Sequence, residues 1–163
     1  MEREKLIKII GGGIGLILLI TIASVLTGDD VEPVLRRTII TQNTVMEISD
    51  EAASEADDVA TRALAARIGS TTASDRNRLS KIYRAQYGDS IKAVDKSLVT
   101  ELEETPEGFD ALYREQTLKL LQRSRRNMEA LQVEFASEEA RNMFKKARQN
   151  HRAHIKTLRE DDS

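Results

Sequence analysis

The chain has 163 residues, of which 40% are hydrophobic, 32% charged and 4% aromatic; 25 Lys and Arg against 27 Asp and Glu leave a net charge of −2. The absence of cysteine excludes a disulfide framework, a thiolate nucleophile, Cys-ligated zinc, an iron–sulfur cluster and a lipid-modified cysteine. A charge so close to balance argues against a general nucleic-acid binder, so no nucleic acid is expected among the partners.

From Ile9 to Thr27 no residue is charged, and most are Ile, Leu or Gly. As a helix this run would measure roughly 28 Å, close to the hydrocarbon thickness of a bilayer. The alternative, a buried core helix, is rarely apolar on every face over such a length. Arg3, Lys5 and Lys8 precede the run and Asp29, Asp30 and Glu32 follow it, an asymmetry that keeps the N-terminus cytoplasmic and exports the remainder. A cleaved signal peptide competes with an uncleaved anchor. The stretch 23–28 lacks a clean small-x-small site, which favours the anchor. The expected organisation is a cytoplasmic flank and transmembrane signal anchor over 1–28, meeting the lipid bilayer through residues 9–27, and an extracytoplasmic domain over 29–163. Gly11 and Gly15 have the spacing that lets transmembrane helices approach closely, although glycines in such a span also serve bending.

Beyond residue 28 the pattern is helical throughout, with only Pro33 and Pro106 as prolines. An opening helix begins near Pro33 behind two aspartates, with Val31, Val34, Leu35, Ile39, Val45 and Met46 at helical spacing. Its apolar strip fades at Ser49-Asp50-Glu51, where a short break is expected. A second helix is expected from about Ser54 to Tyr87. Its strip is interrupted by polar residues between Ile68 and Leu79, so a dividing loop competes with one long helix. Positions 64, 68, 72, 75, 79 and 82 keep a single phase, which favours one helix, closed by Gly88. A short helix then carries Ile91, Val94, Leu98 and Leu102 on one face. The turn Glu104-Thr105-Pro106-Glu107-Gly108 leads into a long helix marked by Phe109, Tyr113, Leu120, Met128 and Phe135. Ser137 caps the last helix, whose stripe runs through Ala140, Phe144, Ala147, His151, His154, Ile155 and Leu158. The fold class implied is all-α: a single N-terminal transmembrane helix followed by an up-and-down four-helix bundle, with the short helix across a connection.

The charge is segregated along the chain. Residues 29–110 carry 10 basic and 17 acidic side chains, a net of −7; residues 111–159 carry 12 basic and 5 acidic, a net of +7. Two readings of the basic half compete. Arg123, Arg125, Arg126, Lys145, Lys146 and Arg148 could meet an anionic polymer or lipid, or form a solvated face neutralised by the acidic half.

The hexapeptide Gly108-Phe109-Asp110-Ala111-Leu112-Tyr113, opening a long helix after a turn, resembles a signature of exported bacterial proteins with ferritin-like four-helix bundles and largely uncharacterised function. Shorter similarities include 63–68 and Asn150-His151-Arg152-Ala153-His154-Ile155. The resemblance implies a bacterial ferritin-like bundle of the periplasm or cell surface, which with the anchor expected over 9–27 places the chain at a bacterial cell membrane. This chain has Thr71-Thr72 where that family often has Asp-His, and Leu120-Leu121 where it often has a His; His154 alone keeps its counterpart.

Little chemistry is legible. The Glu-x-x-His pairs of di-iron bundles are absent, because Arg148 lies three residues before His151. His151 and His154 place two imidazoles one turn apart, and Asp75 is a candidate third ligand for zinc or copper. The competing reading makes both histidines bundle-lining residues hydrogen-bonded to Asp75, Thr71 or Thr72. No phosphate loop or nucleophile elbow occurs, so neither a cofactor nor an enzyme is expected. The expected function is an interaction or assembly module of the cell envelope, binding a protein partner or its own copies, with Arg123, Arg125 and Arg126 as the partner surface. A metal- or small-ligand-binding domain is the alternative.

Overall fold

The computed structural model describes residues 31–135 and 137–160, and these form five α-helices and no strand. They are α1 (Val31–Glu55), α2 (Val59–Tyr87), α3 (Lys96–Glu103), α4 (Phe109–Glu134) and α5 (Glu138–Glu160). α1 continues through Ser49-Asp50-Glu51, where the sequence suggested a break. Leu35, Ile39, Val45, Ile48 and Ala52 hold one buried stripe, and Ser49 occupies a core position because its hydroxyl bonds the buried Tyr113 hydroxyl at 3.2 Å. The turn comes later and is fixed by two carboxylates. Asp58 caps α2 by accepting from the Ala60 and Thr61 amides, while Asp110 accepts from the amides of Asp57 and Asp58 at 3.2 and 2.9 Å.

α2 is one continuous helix, as its phase predicts. Leu64, Ile68, Thr72, Asp75, Leu79 and Ile82 are all buried, so the polar middle turns inward. α1 and α2 lie close together where α2 has no side chain: a Cβ on Gly69 would lie 3.3 Å from the Ser49 Cβ. Gly88 ends α2 in the left-handed conformation, its amide donating to the Arg84 carbonyl at 3.0 Å.

The segment from Gly88 to Gly108 is a crossover that returns along the whole bundle. Its first part is extended and clamped to α1: Asn43 Nδ2 donates to the Ile91 and Ala93 carbonyls at 3.2 and 3.0 Å, and the Asp95 amide donates to Thr44 Oγ1 at 2.9 Å. The short helix therefore starts at Lys96, later than its apolar spacing suggested, and α3 rests on α1 and α4. Since Tyr113 near the start of α4 meets Ser49 near the end of α1, α4 runs antiparallel to α1 and hence parallel to α2. α5 returns beside α4, and the Phe135 and Phe144 rings close that hairpin edge to face at 4.9 Å. Four long helices thus pack as a bundle in which α1 and α5 stand at opposite corners.

Two parts of the fold class read from the sequence are corrected. The chain path is up, down, down, up with one long crossover, not up-and-down, because the extended 89–95 stretch and α3 together span the bundle's length. No helix among the described residues is long and apolar enough to cross a membrane, since each carries charged residues along its outer face. The run 9–27 and the Gly11–Gly15 pair lie outside the described residues.

The core divides into two apolar clusters. One gathers Val45, Ile48, Leu64, Ile68, Leu102, Tyr113, Leu121 and Leu158 around the α1–α2 turn. The other gathers Leu35, Ile39, Leu79, Tyr83, Met128, Leu131, Phe135 and Phe144 at the opposite end. Between them lies a buried polar layer: Thr38, Gln42 and Thr44 of α1, Thr72 and Asp75 of α2, Ser124 of α4, and His151 and His154 of α5.

Candidate functional site

Basic residues on α5 recur at Arg141, Lys145, Arg148, Arg152, Lys156 and Arg159, intervals of three and four that align them on one side of the helix. That ladder is roughly 27 Å long at 1.5 Å per residue. It flanks a groove against α4 whose walls are Arg125, Gln132, Lys145, Arg148, Gln149 and Arg152, and which continues past Ala153 to Lys156 and Arg159. Arg148 ties the two walls, donating to Gln132 Oε1 at 2.6 Å and to Glu129 Oε1 at 2.9 Å. Glu160, the other carboxylate at the groove, lies 3.4 Å from Lys156 Nζ. Lys145 and Arg152 are exposed and have no ion pair among the described residues. Arg125 is half-buried, and its Nε has no hydrogen-bond partner. The groove therefore holds an excess of cationic groups in partial shelter from water, where an anion gains more than at an open surface.

The expected partner surface of Arg123, Arg125 and Arg126 does not form one patch. Neighbours on a helix point about 100° apart. Arg125 enters the groove, while Arg123 lines a separate depression with Arg37, Ile40, Thr41 and Asn127, and Arg126 is exposed. Arg152 and Lys156 belong to the groove and were missed. The three- and four-residue spacing from Arg141 onward was the signal that could have found them. Among the described residues Arg114 of the basic half meets Asp58 of the acidic half at 3.4 Å, whereas Arg148 pairs with Glu129 of its own half and Lys156 with Glu160 one turn on.

The polar layer is unusual in its unmet hydrogen-bonding capacity. Gln42, Thr72, Ser124 and His151 are fully buried, and both Gln42 amide atoms, both His151 ring nitrogens and the two hydroxyl oxygens have no partner. Gln42 and Thr72 lie equally far in sequence from Asp57 in the α1–α2 turn, which sets them at one height. The threonines of α1 are satisfied locally, Thr38 and Thr44 donating to carbonyls one turn back at 2.7 and 3.0 Å. Burial, and secondarily His154, pushes the His151 pKa down to about 4, so its imidazole is neutral near neutral pH. Burial also lowers His154, with Arg67 adding to the effect, and burial raises Asp75 against the opposing bond from Asn150.

Of the expected metal ligands, His151 and His154 share the layer, but Asp75 Oδ2 accepts from Asn150 Nδ2 at 3.2 Å. No group of three or more His, Cys, Asp or Glu among the described residues could hold a metal ion. The alternative in which His151 hydrogen-bonds Asp75, Thr71 or Thr72 is not realised either, since neither ring nitrogen has a partner. Compared with protein-family models, curated proteins and solved structures, the chain matches none. Nothing in these comparisons bears on the resemblance of residues 63–68, 108–113 and 150–155 to exported ferritin-like bundle proteins.

Proposed function

We propose that the protein is a helical interaction module and that the basic α4–α5 groove is its docking surface for an acidic partner. One observation carries this reading: Arg125, Lys145, Arg152 and Lys156 line one groove between α4 and α5, and Lys145 and Arg152 have no ion pair among the described residues. Such a surface steers and orients a partner of opposite charge. The test is co-purification from cells at moderate salt with a Lys145→Glu, Arg152→Glu double variant. Both residues are exposed, so the fold is kept while the groove's charge is reversed. A specific acidic partner held by the parent chain and lost from the variant supports the reading. Retention of the same partners by the variant refutes it.

The polar layer favours a second reading, binding of a small uncharged polar molecule in the bundle interior. Its orphaned atoms comprise both donors and acceptors, and His151 is neutral there. Native mass spectrometry of protein taken directly from cells tests it. A discrete excess mass that disappears in His151→Leu supports binding; an unadorned chain mass refutes it.

A further inference from the structure

The acidic half of the chain has an organised surface of its own. Glu47, Glu51 and Glu55 stand one turn apart on α1, with Glu47 and Glu55 exposed, and none has an ion pair among the described residues. α3, packed on α1 and α4, ends in the exposed Glu103 and is capped by the exposed Glu104. Each ladder therefore presents about one charge per helical turn, the acidic one on α1 and the basic one on α5, at the same pitch of about 5.4 Å. α1 and α5 occupy opposite corners of the bundle, and among the described residues no ion pair joins the two ladders within one molecule.

Resting on the docking reading above, we infer that the acidic occupant of the α4–α5 groove is the α1–α3 side of a second copy of this chain. Pairing of the exposed Glu47 and Glu55 with the exposed Lys145 and Arg152 joins two different surfaces, so the contact is heterologous. Each association leaves one free ladder of either sign at the ends. Assembly then lengthens with concentration instead of stopping at a dimer.

Analytical ultracentrifugation of the full chain, kept in a nonionic detergent because of the uncharged run 9–27, tests this directly. At low ionic strength the weight-average mass rises with protein concentration, and self-association is about tenfold weaker at roughly 0.5 M salt, where screening shortens the reach of surface charges to a few ångströms. Lys145→Glu with Arg152→Glu abolishes the salt-sensitive association, and so does Glu47→Lys with Glu55→Lys. Mixing the two variants restores it, because each reversed ladder then faces a complementary one on the other variant. Self-association that ignores both reversals, or a mixture that stays dissociated, overturns the inference. If the chain does not self-associate but the groove variant still loses an acidic partner in cells, self-pairing falls and the docking reading stands. If neither occurs, both fall.

Discussion

Replacing His151 with leucine is expected to reduce the protein's loss of stability between neutral and mildly acidic pH. His151 has a folded pKa of about 4, below the roughly 6.5 of an unfolded chain. Between those values the unfolded chain binds more protons than the folded one, so stability falls as pH drops through the interval. The separation of about 2.5 pH units corresponds to about 3 kcal/mol, most of it lost by pH 4. His154, lowered in the same direction by burial, adds to the fall. Asp75, raised by burial, contributes oppositely, holding its proton longer in the folded state and losing that contribution as pH rises. His151→Leu strands no hydrogen-bond partner, because neither ring nitrogen has one, so stability at pH 7 is maintained or increased. The assay is urea unfolding followed by circular dichroism at pH 7 and pH 4.5 for both proteins. A variant with the parent's full pH dependence would refute the assignment of a buried, neutral imidazole to this layer.

Three further outcomes test the packing. Gly69→Val forces side-chain atoms into the close α1–α2 approach at Ser49 and is expected to cost about 1–3 kcal/mol in chemical unfolding. Phe144→Ala empties a fully buried site beside Phe135 and is expected to cost about 3–5 kcal/mol, read as a lowered denaturation midpoint. Asp58→Ala removes the α2 cap; its hydrogen bonds from Thr61 and Ala60 hold the carboxyl below its ordinary value, so the destabilisation relative to the parent is expected above about pH 4 and shrinks as pH falls and the parent's carboxylate protonates.

The helices were legible wherever apolar phase survived. Positions 64 to 82 kept one face through a polar middle, and that face is buried. The break expected at Ser49 failed because serine can sit in a core position when a buried tyrosine hydroxyl bonds it, a long-range pairing that local periodicity does not encode. The direction of α4 was equally hidden. It depends on the 88–108 segment running the length of the bundle, which in turn depends on Asn43 and Thr44 holding an extended backbone with no apolar pattern of its own. At the candidate site, the basic character of the second half was visible as net charge. The groove was not, because Arg125 joins it from another helix while its sequence neighbours Arg123 and Arg126 point elsewhere. Both histidines of the stripe are buried, but the lack of a hydrogen-bond partner at either His151 ring nitrogen depends on what the other helices place around it, which local spacing does not encode.

The most direct test of the α4–α5 groove as a docking surface is photocrosslinking in intact cells from a reactive residue at Gln149, which lies between Arg125 and Arg152 on the groove wall, compared with the same residue at exposed Lys81 on α2. The prediction is a discrete adduct from position 149, absent from position 81 and lost when Lys145 and Arg152 are reversed to glutamate. Equal labelling from both positions, or an adduct from 149 that survives the charge reversal, would contradict it.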